Sequence, residues 1–545
     1  MAGSDTSTRQ PVGDLTHPRA LVPGNLLLTL VLGLLGAIVG IQMLATLGIT
    51  PNTSLIGALA AMALARIPMR MFRGYRSIHA QNLAQTSISA ATFGAANCLF
   101  LPIGIPYLFG RPDMVPPMLM AVAAAMLLDG WLLYRLFGSR AFPASNAWPI
   151  GVASAEAIRA GDEGGRQAIF LLGGTAIGAA GALVGLPMSA LGVALIGGFA
   201  AMTGFAAGLL IRGYSMPLFD LDIAAMYIPH GMMVGAGLVA LFQVGQALLS
   251  RRRSTPMDGK QPSGSAAAKT PGASGRWEPA RVLRYGAAGY LLISIFLAFA
   301  TGIYVQLSPG MLLSFVVYAA FAAFVHELIV GIAAMHSGWF PAFAVALISL
   351  LIGIMIGFPP EALVVLAGFS AATGPAFADM GYDLKAGNLL RGRRPELDPY
   401  ELDGRRQQWF STLIGFSAAL AVVVFSHKAL LEAGYNAPIN ATYVAAIEAG
   451  ISSGVAGSLA LWAIPGAVLQ ILGGPGRQVG VLFATGLLIA NPAAGWMVAL
   501  GLVLRGGLRR VGGRWKRETE VVAGGVIAGD ALTGFAMGAG RNLMR

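Results

Sequence analysis

Residues 25–47 read NLLLTLVLGLLGAIVGIQMLATL, a run of 23 residues without a charged side chain. A helix of this length can cross the hydrocarbon core of a bilayer, which is about 30 Å thick. Similar runs recur from Gly24 to Gly540, separated by short joints rich in Arg, Pro or Gly. Because only helices and closed barrels satisfy their backbone hydrogen bonds in lipid, the pattern predicts an all-α polytopic integral membrane protein.

The composition agrees with a chain whose main partner is the lipid bilayer. Apolar residues make up 56% of the 545 residues and charged residues 11%, against about 25% charged residues in soluble domains. The net charge of +12 comes from joints between spans, where the positive-inside rule explains it, so no nucleic-acid partner is predicted. A single cysteine, Cys98, excludes an intrachain disulfide and a Cys-rich metal site.

The chain divides into four parts. Residues 1–23 are a polar tail without the pattern of a signal peptide, and we expect this tail to be cytoplasmic. Residues 24–249 and 281–545 form two membrane halves. Between them, residues 250–280 are rich in Arg, Lys, Ser, Gly and Pro, which predicts a flexible, basic, cytoplasmic linker.

Apolar runs within the two halves predict about 14–16 membrane helices. Both halves also contain a short, broken segment, at 144–160 and 361–378, and Asn491-Pro492 is expected to break a late span. The predicted spans are 25–47, 52–69, 77–102, 114–137, 167–186, 189–211, 222–249, 282–304, 310–334, 338–358, 408–431, 439–461, 478–489, 493–504 and 521–540.

Basic residues predict the orientation of the chain. The linker and the joints 391–406 and 505–517 should be cytoplasmic. The last span would then carry Arg541 and Arg545 to the outside, so either one late segment is re-entrant or the last helix does not cross fully.

The tetrapeptide Ser89-Ala90-Ala91-Thr92 recurs as Ser370-Ala371-Ala372-Thr373. Together with one broken segment in each half, this recurrence favours two pseudo-repeat halves. Paired interrupted segments are typical of secondary transporters, which bind substrate near the middle of the membrane.

Four polar residues share one face of the third predicted span, because they are spaced three or four residues apart: Asn82, Gln85, Thr86 and Ser89. Such a stripe either lines a substrate cavity or forms hydrogen bonds with a neighbouring helix.

The first broken segment combines Trp148, Pro149, Gly151 and Glu156. Pro149 and Gly151 permit departure from helical geometry, so freed backbone groups and the indole are candidates for binding substrate. Glu156 is a candidate proton carrier, and the alternative is an ion pair with Arg159.

His230 lies between Pro229 and Gly231 and is a second candidate for proton coupling. Asp220 and Asp222 precede it and are expected to be interfacial caps. After the second broken segment, Asp379, Asp383 and Lys385 are expected either to gate a cavity or to anchor the segment at the interface.

No metal site is predicted. His326-Glu327 does not continue as a zinc-protease helix, since Val330 stands where the second His is required. The expected arrangement is a His–Glu pair that faces the interior of the bundle. Asp220/Asp222 and Asp379/Asp383 are the close pairs of acids that a membrane-embedded enzyme acting on a lipid-linked substrate would require.

Four segments resemble signatures of the oligopeptide transporter (OPT) family, which includes the yellow-stripe-like carriers. In the order of the chain, they are Gln81 to Ala90, Pro149 to Glu156, Asp383 to Gly387 and Ala528 to Leu532. The resemblance implies proton-coupled uptake of small peptides, peptide-like compounds or metal–chelate complexes. It also implies a helical bundle that allows a homodimer.

Three positions depart from the family pattern. Gln81 replaces a Glu, Ile150 a Ser and Ala386 a Thr. Gln81 cannot titrate, so coupling would need another group, such as Glu156, or be absent.

The sequence therefore predicts a secondary transporter that uses alternating access and a proton gradient, without a cofactor. The alternatives are the membrane-embedded enzyme and a passive facilitator. Abundant Gly, Ala and Arg suggest a bacterial source, and hence the inner membrane.

Overall fold

The computed structural model describes residues 17–47, 57, 77–249, 279–338, 342–450, 454–511 and 516–543. Within those ranges the chain is helical and contains no β-strand, apart from one isolated bridge between Phe137 and Phe142. The prediction of an all-α polytopic membrane protein is therefore confirmed. The predicted span 52–69, most of the tail and nearly all of the linker lie outside the described residues.

The described residues of the first half form nine α-helices. A π-helical segment, Gly94–Phe100, joins the second to the third. The helices are α1 (Pro23–Leu47), α2 (Ile78–Phe93), α3 (Leu101–Leu108), α4 (Val115–Leu136), α5 (Pro149–Glu163), α6 (Gly165–Leu183), α7 (Met188–Ile196), α8 (Phe199–Phe219) and α9 (Ile228–Leu249) among the described residues.

The second half contains eleven α-helices in the part that the structure describes. They are α10 (Pro279–Ala300), α11 (Pro309–Ser337), α12 (Ala342–Ile356), α13 (Pro360–Ala372), α14 (Pro375–Leu390), α15 (Pro399–Glu432), α16 (Pro438–Ala449), α17 (Val455–Gly473), α18 (Val479–Leu488), α19 (Pro492–Val511) and α20 (Lys516–Leu543).

Among the described residues, seven helical stretches are long and apolar enough to cross a membrane, and shorter apolar helices accompany them. Two of these stretches form the centre of the bundle. Ile78–Leu108 and Pro360–Leu390 are each 31 residues long and completely buried in their apolar windows. At the periphery, only 17% of the corresponding window of Gly165–Leu183 is buried. Its exposed side chains include Ile169, Leu172 and Ile177, as expected for a helix that faces lipid.

The helical geometry of both central stretches changes next to the recurring tetrapeptide. In the first, Thr92 is followed by Phe93 and then by the π-helical segment. In the second, Thr373 is extended and Gly374 has a φ of +96°, a conformation that favours glycine. Pro375 then begins α14 without a backbone donor. A change in helical geometry thus accompanies both copies of the tetrapeptide, as a π-helix in one half and as a break in the other.

Glycines bring several helices into close contact. At the crossing of α6 and α20, Gly174 and Gly178 face the backbone of Val522 and Val526, while Gly525 and Gly529 face the backbone of α6. Two small residues spaced four apart on each helix allow the backbones to approach, as in other membrane helix pairs. This crossing accounts for part of the chain's high glycine content.

One break between helices was predicted from the sequence, and two further breaks divide predicted spans. The break at Asn491-Pro492 is confirmed, since α18 ends at Leu488 and α19 begins at Pro492. The predicted span 189–211 is wrong as one helix, because Gly197 and Gly198 are extended and separate α7 from α8. The predicted span 439–461 is likewise divided, between α16 and α17.

Candidate functional site

A cavity of about 680 Å³ lies where α5, α7, α14, α19 and α20 converge. This volume falls within the range typical of small-molecule sites. The cavity is next to the joints 391–406 and 505–517, which are predicted to be cytoplasmic.

The first wall of the cavity is the segment that precedes α5. Ala144, Ser145, Asn146 and Ala147 line it, followed by Val152 on the helix itself. These residues precede the helix, which begins at Pro149, and the carbonyls of Ala144 and Asn146 accept hydrogen bonds from Lys385. The first broken segment is thus at the cavity, as predicted for a segment that binds substrate.

Trp148 itself points away from the cavity. Its φ of +41° places it in the left-handed region, which a large side chain adopts only when its surroundings hold it there. Its backbone N–H donates to the Met335 carbonyl at 2.8 Å, and its buried ring packs near Phe137 and Tyr382. Trp148 therefore fixes the start of α5 and does not form the aromatic wall of this cavity.

Gly151 allows α5 to approach α14. A Cβ at this position would lie 2.7 Å from the Cβ of Lys385, which is closer than side-chain packing permits. The predicted departure from helical geometry occurs before Pro149, so Gly151 serves the helix contact instead.

Lys385 connects α14 to the loop before α5. Its ammonium donates to the carbonyls of Ala144 at 2.8 Å and Asn146 at 2.9 Å. The side chain is only 6% exposed, yet it lines the cavity. Lys385 therefore anchors the loop before α5 and lies at the cavity wall.

A second break in a helix forms the opposite wall. Leu195, Ile196, Gly197 and Gly198 line the cavity between α7 and α8. Arg505 on α19 donates to the carbonyls of Gly197 and, at 3.3 Å, of Ala194. The guanidinium thus satisfies carbonyls at the end of α7, where a helix has no intrahelical partner for them.

The charges around the cavity are predominantly positive. Four basic side chains and two acidic ones line it: Lys385, Arg393, Arg394, Arg505, Glu396 and Glu520. Such a lining attracts a ligand with an anionic end. Sequence analysis missed Arg505, although a basic residue directly after the apolar run 493–504 was a signal that could have revealed it.

The polar stripe on α2 lies deeper in the bundle, and its four side chains are buried. Asn82 donates to Gln85 at 2.9 Å, and Gln85 donates to the Asp383 carboxylate at 2.5 Å. Ser89 donates to Asp379, also at 2.5 Å. The bonds from Gln85 and Ser89 connect α2 to α14. The stripe therefore forms hydrogen bonds with a neighbouring helix, which was the second of the two predicted alternatives.

Thr86 joins the same network through α15. The side chain of Gln408 donates to Thr86 at 3.4 Å and to the Asp383 carbonyl at 2.5 Å. Gln408 in turn accepts a bond from Arg391 at 2.9 Å. The stripe and the second acidic motif are therefore one hydrogen-bonded unit, with Lys385 at its cavity end.

The two candidates for proton coupling lie apart from each other. Glu156 is 3% exposed and forms an ion pair with Arg159 at 2.9 Å; Arg517 lies 3.6 Å from its second oxygen. His230 is half-buried at the start of α9, beside Tyr227. Neither side chain lines the cavity.

The other acidic candidates lie at helix ends or are buried inside the bundle. Asp222 accepts hydrogen bonds from the backbone of Ala224 and Ala225, and Asp220 ends α8. His326 and Glu327 are fully buried inside the bundle, as expected. The described residues contain no group of three His, Cys, Asp or Glu side chains that could hold a metal ion.

Comparison with known protein families completes the assignment. Residues 25–250 and 283–539 match the family model described as OPT oligopeptide transporter protein. A search of curated proteins found no match. The family match covers both membrane halves and excludes only the tail, the linker and the C-terminal residues, so this chain is an integral membrane transporter that belongs to the OPT oligopeptide transporter family.

Proposed function

We propose that this protein is a proton-coupled secondary transporter that takes up small peptides, peptide-like compounds or metal–chelate complexes by alternating access. It would act as a carrier without enzymatic activity or a cofactor. We place it in a bacterial inner membrane with a cytoplasmic N-terminus, and the family resemblance allows a homodimer.

The cavity is the observation that carries this proposal. Its size suits a molecule of a few residues, and two of its walls are segments without helical structure, at Ala144–Ala147 before α5 and at Gly197–Gly198 between α7 and α8. Transporters use such breaks to present backbone groups to a substrate. Peptides and metal chelates both carry carboxylates, which suit the basic lining.

The polar network supports alternating access because it joins three helices that would have to move together. Asp383 accepts from Gln85 on α2 and, through its carbonyl, from Gln408 on α15. Lys385, two residues along α14, contacts the cavity wall. A substrate bound at Lys385 would therefore act on the same helix that the network holds.

Uptake into proteoliposomes tests this function. Mixed di- and tripeptides, or ferric and nickel chelates, would be supplied outside under an inward proton gradient. We expect accumulation that an uncoupler abolishes. Gradient-independent equilibration would indicate a passive facilitator, and absence of uptake for both pools would contradict the proposed substrates.

Two substitutions locate the substrate. Arg505→Gln and Lys385→Met should each lower apparent affinity about tenfold or more, since a charge-assisted hydrogen bond contributes roughly 1.5–3 kcal/mol. Arg281→Gln is the control, because Arg281 is exposed at the start of α10 and does not line the cavity. Equal loss in all three variants would contradict binding at the cavity.

Glu156 and His230 remain the candidates for proton coupling that the sequence offers. Glu156→Gln should abolish gradient-driven accumulation if this carboxyl carries the proton. His230→Gln tests the second candidate in the same assay.

A further inference from the structure

Three ionisable side chains meet in the centre of the bundle, away from the cavity. The Tyr290 hydroxyl on α10 lies 2.5 Å from Oδ1 of Asp129 on α4 and 2.8 Å from Oε2 of Glu327 on α11. All three side chains are fully buried. An isolated charge in this environment costs several kcal/mol, so a cluster of two acids needs a physical explanation.

Counting hydrogens shows that this geometry requires an added proton. A tyrosine hydroxyl has one hydrogen and can donate it to one carboxylate only. The second short O···O contact is a hydrogen bond only when the other carboxyl is protonated and donates to the phenol oxygen. Two ionised carboxylates would leave one pair of oxygens facing each other without a hydrogen.

The partners of each carboxyl indicate where the proton resides. Asp129 Oδ2 accepts a 2.6 Å bond from the backbone N–H of Gly374, so both Asp129 oxygens accept hydrogen bonds, as an ionised carboxylate requires. Among the described residues, Oε1 of Glu327 has no hydrogen-bond partner. A buried charge is least stable on the carboxyl with fewer donors, which assigns the proton to Glu327.

Other titratable groups surround the cluster. His326 precedes Glu327 on α11 and contacts the Thr373 hydroxyl at 3.1 Å and the Ala342 carbonyl at 2.7 Å. Cys98, on the π-helical segment, interacts electrostatically with Asp129 and with Asp379 on α14. Within the described ranges, no Lys or Arg forms an ion pair with Asp129 or Glu327, so protonation is the available means of reducing their charge.

The cluster is connected to the break between α13 and α14. Asp129 binds the N–H of Gly374, and His326 contacts Thr373, the residue before it. From this break, α14 runs to Lys385 at the cavity. Loss of the proton would leave Asp129 and Glu327 both negatively charged beside the Tyr290 hydroxyl. Because Asp129 binds Gly374, a movement of the break between α13 and α14 would separate the two charges.

We propose that Asp129, Tyr290 and Glu327 form a proton-binding site that holds one exchangeable proton at Glu327 and controls the break at Gly374. The protonated carboxyl of Glu327 donates a hydrogen bond to the Tyr290 oxygen, and the Tyr290 hydroxyl donates one to the Asp129 carboxylate. In transport, which rests on the function proposed above, this proton would be the one coupled to substrate movement, and Glu327 would take the role for which the sequence offered Glu156 and His230.

Infrared difference spectroscopy of the purified, lipid-reconstituted protein tests proton binding without any substrate. Protonated carboxyls give a C=O stretching band that shifts when H₂O is replaced by D₂O. We expect Glu327→Gln to remove the amplitude of one carboxylic acid at neutral pH. Glu361→Gln should leave the band unchanged, since Glu361 lies at the start of α13, outside the cluster, 3.6 Å from Arg111.

Two further variants keep the assignment testable if Glu327→Gln does not fold. Asp129→Asn and Tyr290→Phe should each alter the position of the band, because the hydrogen bonds to the protonated carboxyl change. A band of full amplitude in Glu327→Gln would overturn the assignment. Loss of the band in Asp129→Asn alone would do the same, since the proton would then reside on Asp129.

Transport measurements distinguish a failure of this proposal from a failure of the proposed function. With the peptide pool or the chelate pool, Glu327→Gln should retain exchange of substrate between equal concentrations and lose gradient-driven accumulation at least tenfold, because glutamine imitates the protonated state. Accumulation equal to wild type would overturn the coupling role. A Glu327 band in a protein that shows no gradient-driven uptake would support proton binding and contradict the proposed function.

Discussion

The side-chain amide of Gln85 on α2 lies 2.5 Å from the carboxylate of Asp383 on α14, although the two residues are 298 positions apart in the chain. This contact joins the two buried, interrupted stretches of the bundle. The Asp383 carbonyl also accepts a bond from Gln408 on α15, so three helices depend on one residue.

Replacing Gln85 with Leu should destabilise the protein by about 1–3 kcal/mol, because it removes a hydrogen bond to the buried Asp383 carboxylate. Cys98 is the only cysteine and is buried, so a fluorogenic maleimide that reacts with it reports unfolding on heating. Gln306→Leu, at an exposed position, should leave Tm nearly unchanged. Equal Tm values for wild type and Gln85→Leu would show that the contact adds no stability.

The stripe on α2 illustrates how far the sequence determines the site. Its spacing correctly placed Asn82, Gln85, Thr86 and Ser89 on one face, because helical periodicity is a local property. The partner helix could not be predicted, since Asp383 is distant in the chain and hydropathy contains no information about which helices touch.

The breaks show a similar limit. Pro492 revealed its break because proline has a fixed local effect, whereas Pro149 begins a helix that is continuous to Glu163 and follows a loop. The break at Gly197–Gly198 was missed, since glycine within an apolar run is equally consistent with close helix packing, as at Gly178. Asp129 was overlooked although it is an acid within an apolar run, which is a signal that membrane helices seldom contain without a function.

The crossing of α6 and α20 provides a second prediction. Gly178→Val should lower stability by about 1–3 kcal/mol, because its side chain would meet the backbone of Val526. Gly173→Val is the matched control, since it lies on the same helix with no neighbouring atom within 4 Å of the added Cβ. The maleimide assay on Cys98 measures both. Equal Tm losses would indicate a general effect of valine in α6 and would exclude a role for this crossing.

A buried charge network at the start of α15 provides the third prediction. Glu401 accepts from Arg391 at 2.7 Å and from Arg405 at 2.8 Å, and all three side chains are buried. Glu401→Gln should cost about 3–5 kcal/mol, because it leaves two buried guanidinium groups without their anion.

The exposed Glu432 at the far end of the same helix supplies the control for this change. Glu432→Gln should melt like the wild type in the same assay. A Glu401→Gln protein with an unchanged Tm would mean that water or lipid headgroups compensate the two arginines.

The segment before α1 provides a prediction about pH. The His17 ring is 2% exposed and lies 5.3 Å from the ring of His79 and 5.4 Å from that of Tyr400. Burial lowers the pKa of His17 below its usual value of 6.5, which its hydrogen bond with the Pro18 carbonyl opposes. The fold therefore favours neutral His17, and this contribution to stability is present above pH 6.5 and is lost as the pH falls below that value.

Tryptophan fluorescence on heating should show this dependence, with a Tm that falls between about pH 7.5 and about pH 5.5. His17→Phe retains a ring beside His79 and Tyr400 but cannot bind a proton, so its Tm should fall less over the same interval. The remaining fall reports other titratable groups, including His79, whose ring lies beside that of His17. If both proteins lose the same Tm, protonation of His17 does not weaken the packing of this segment, and the acid sensitivity belongs to those other groups.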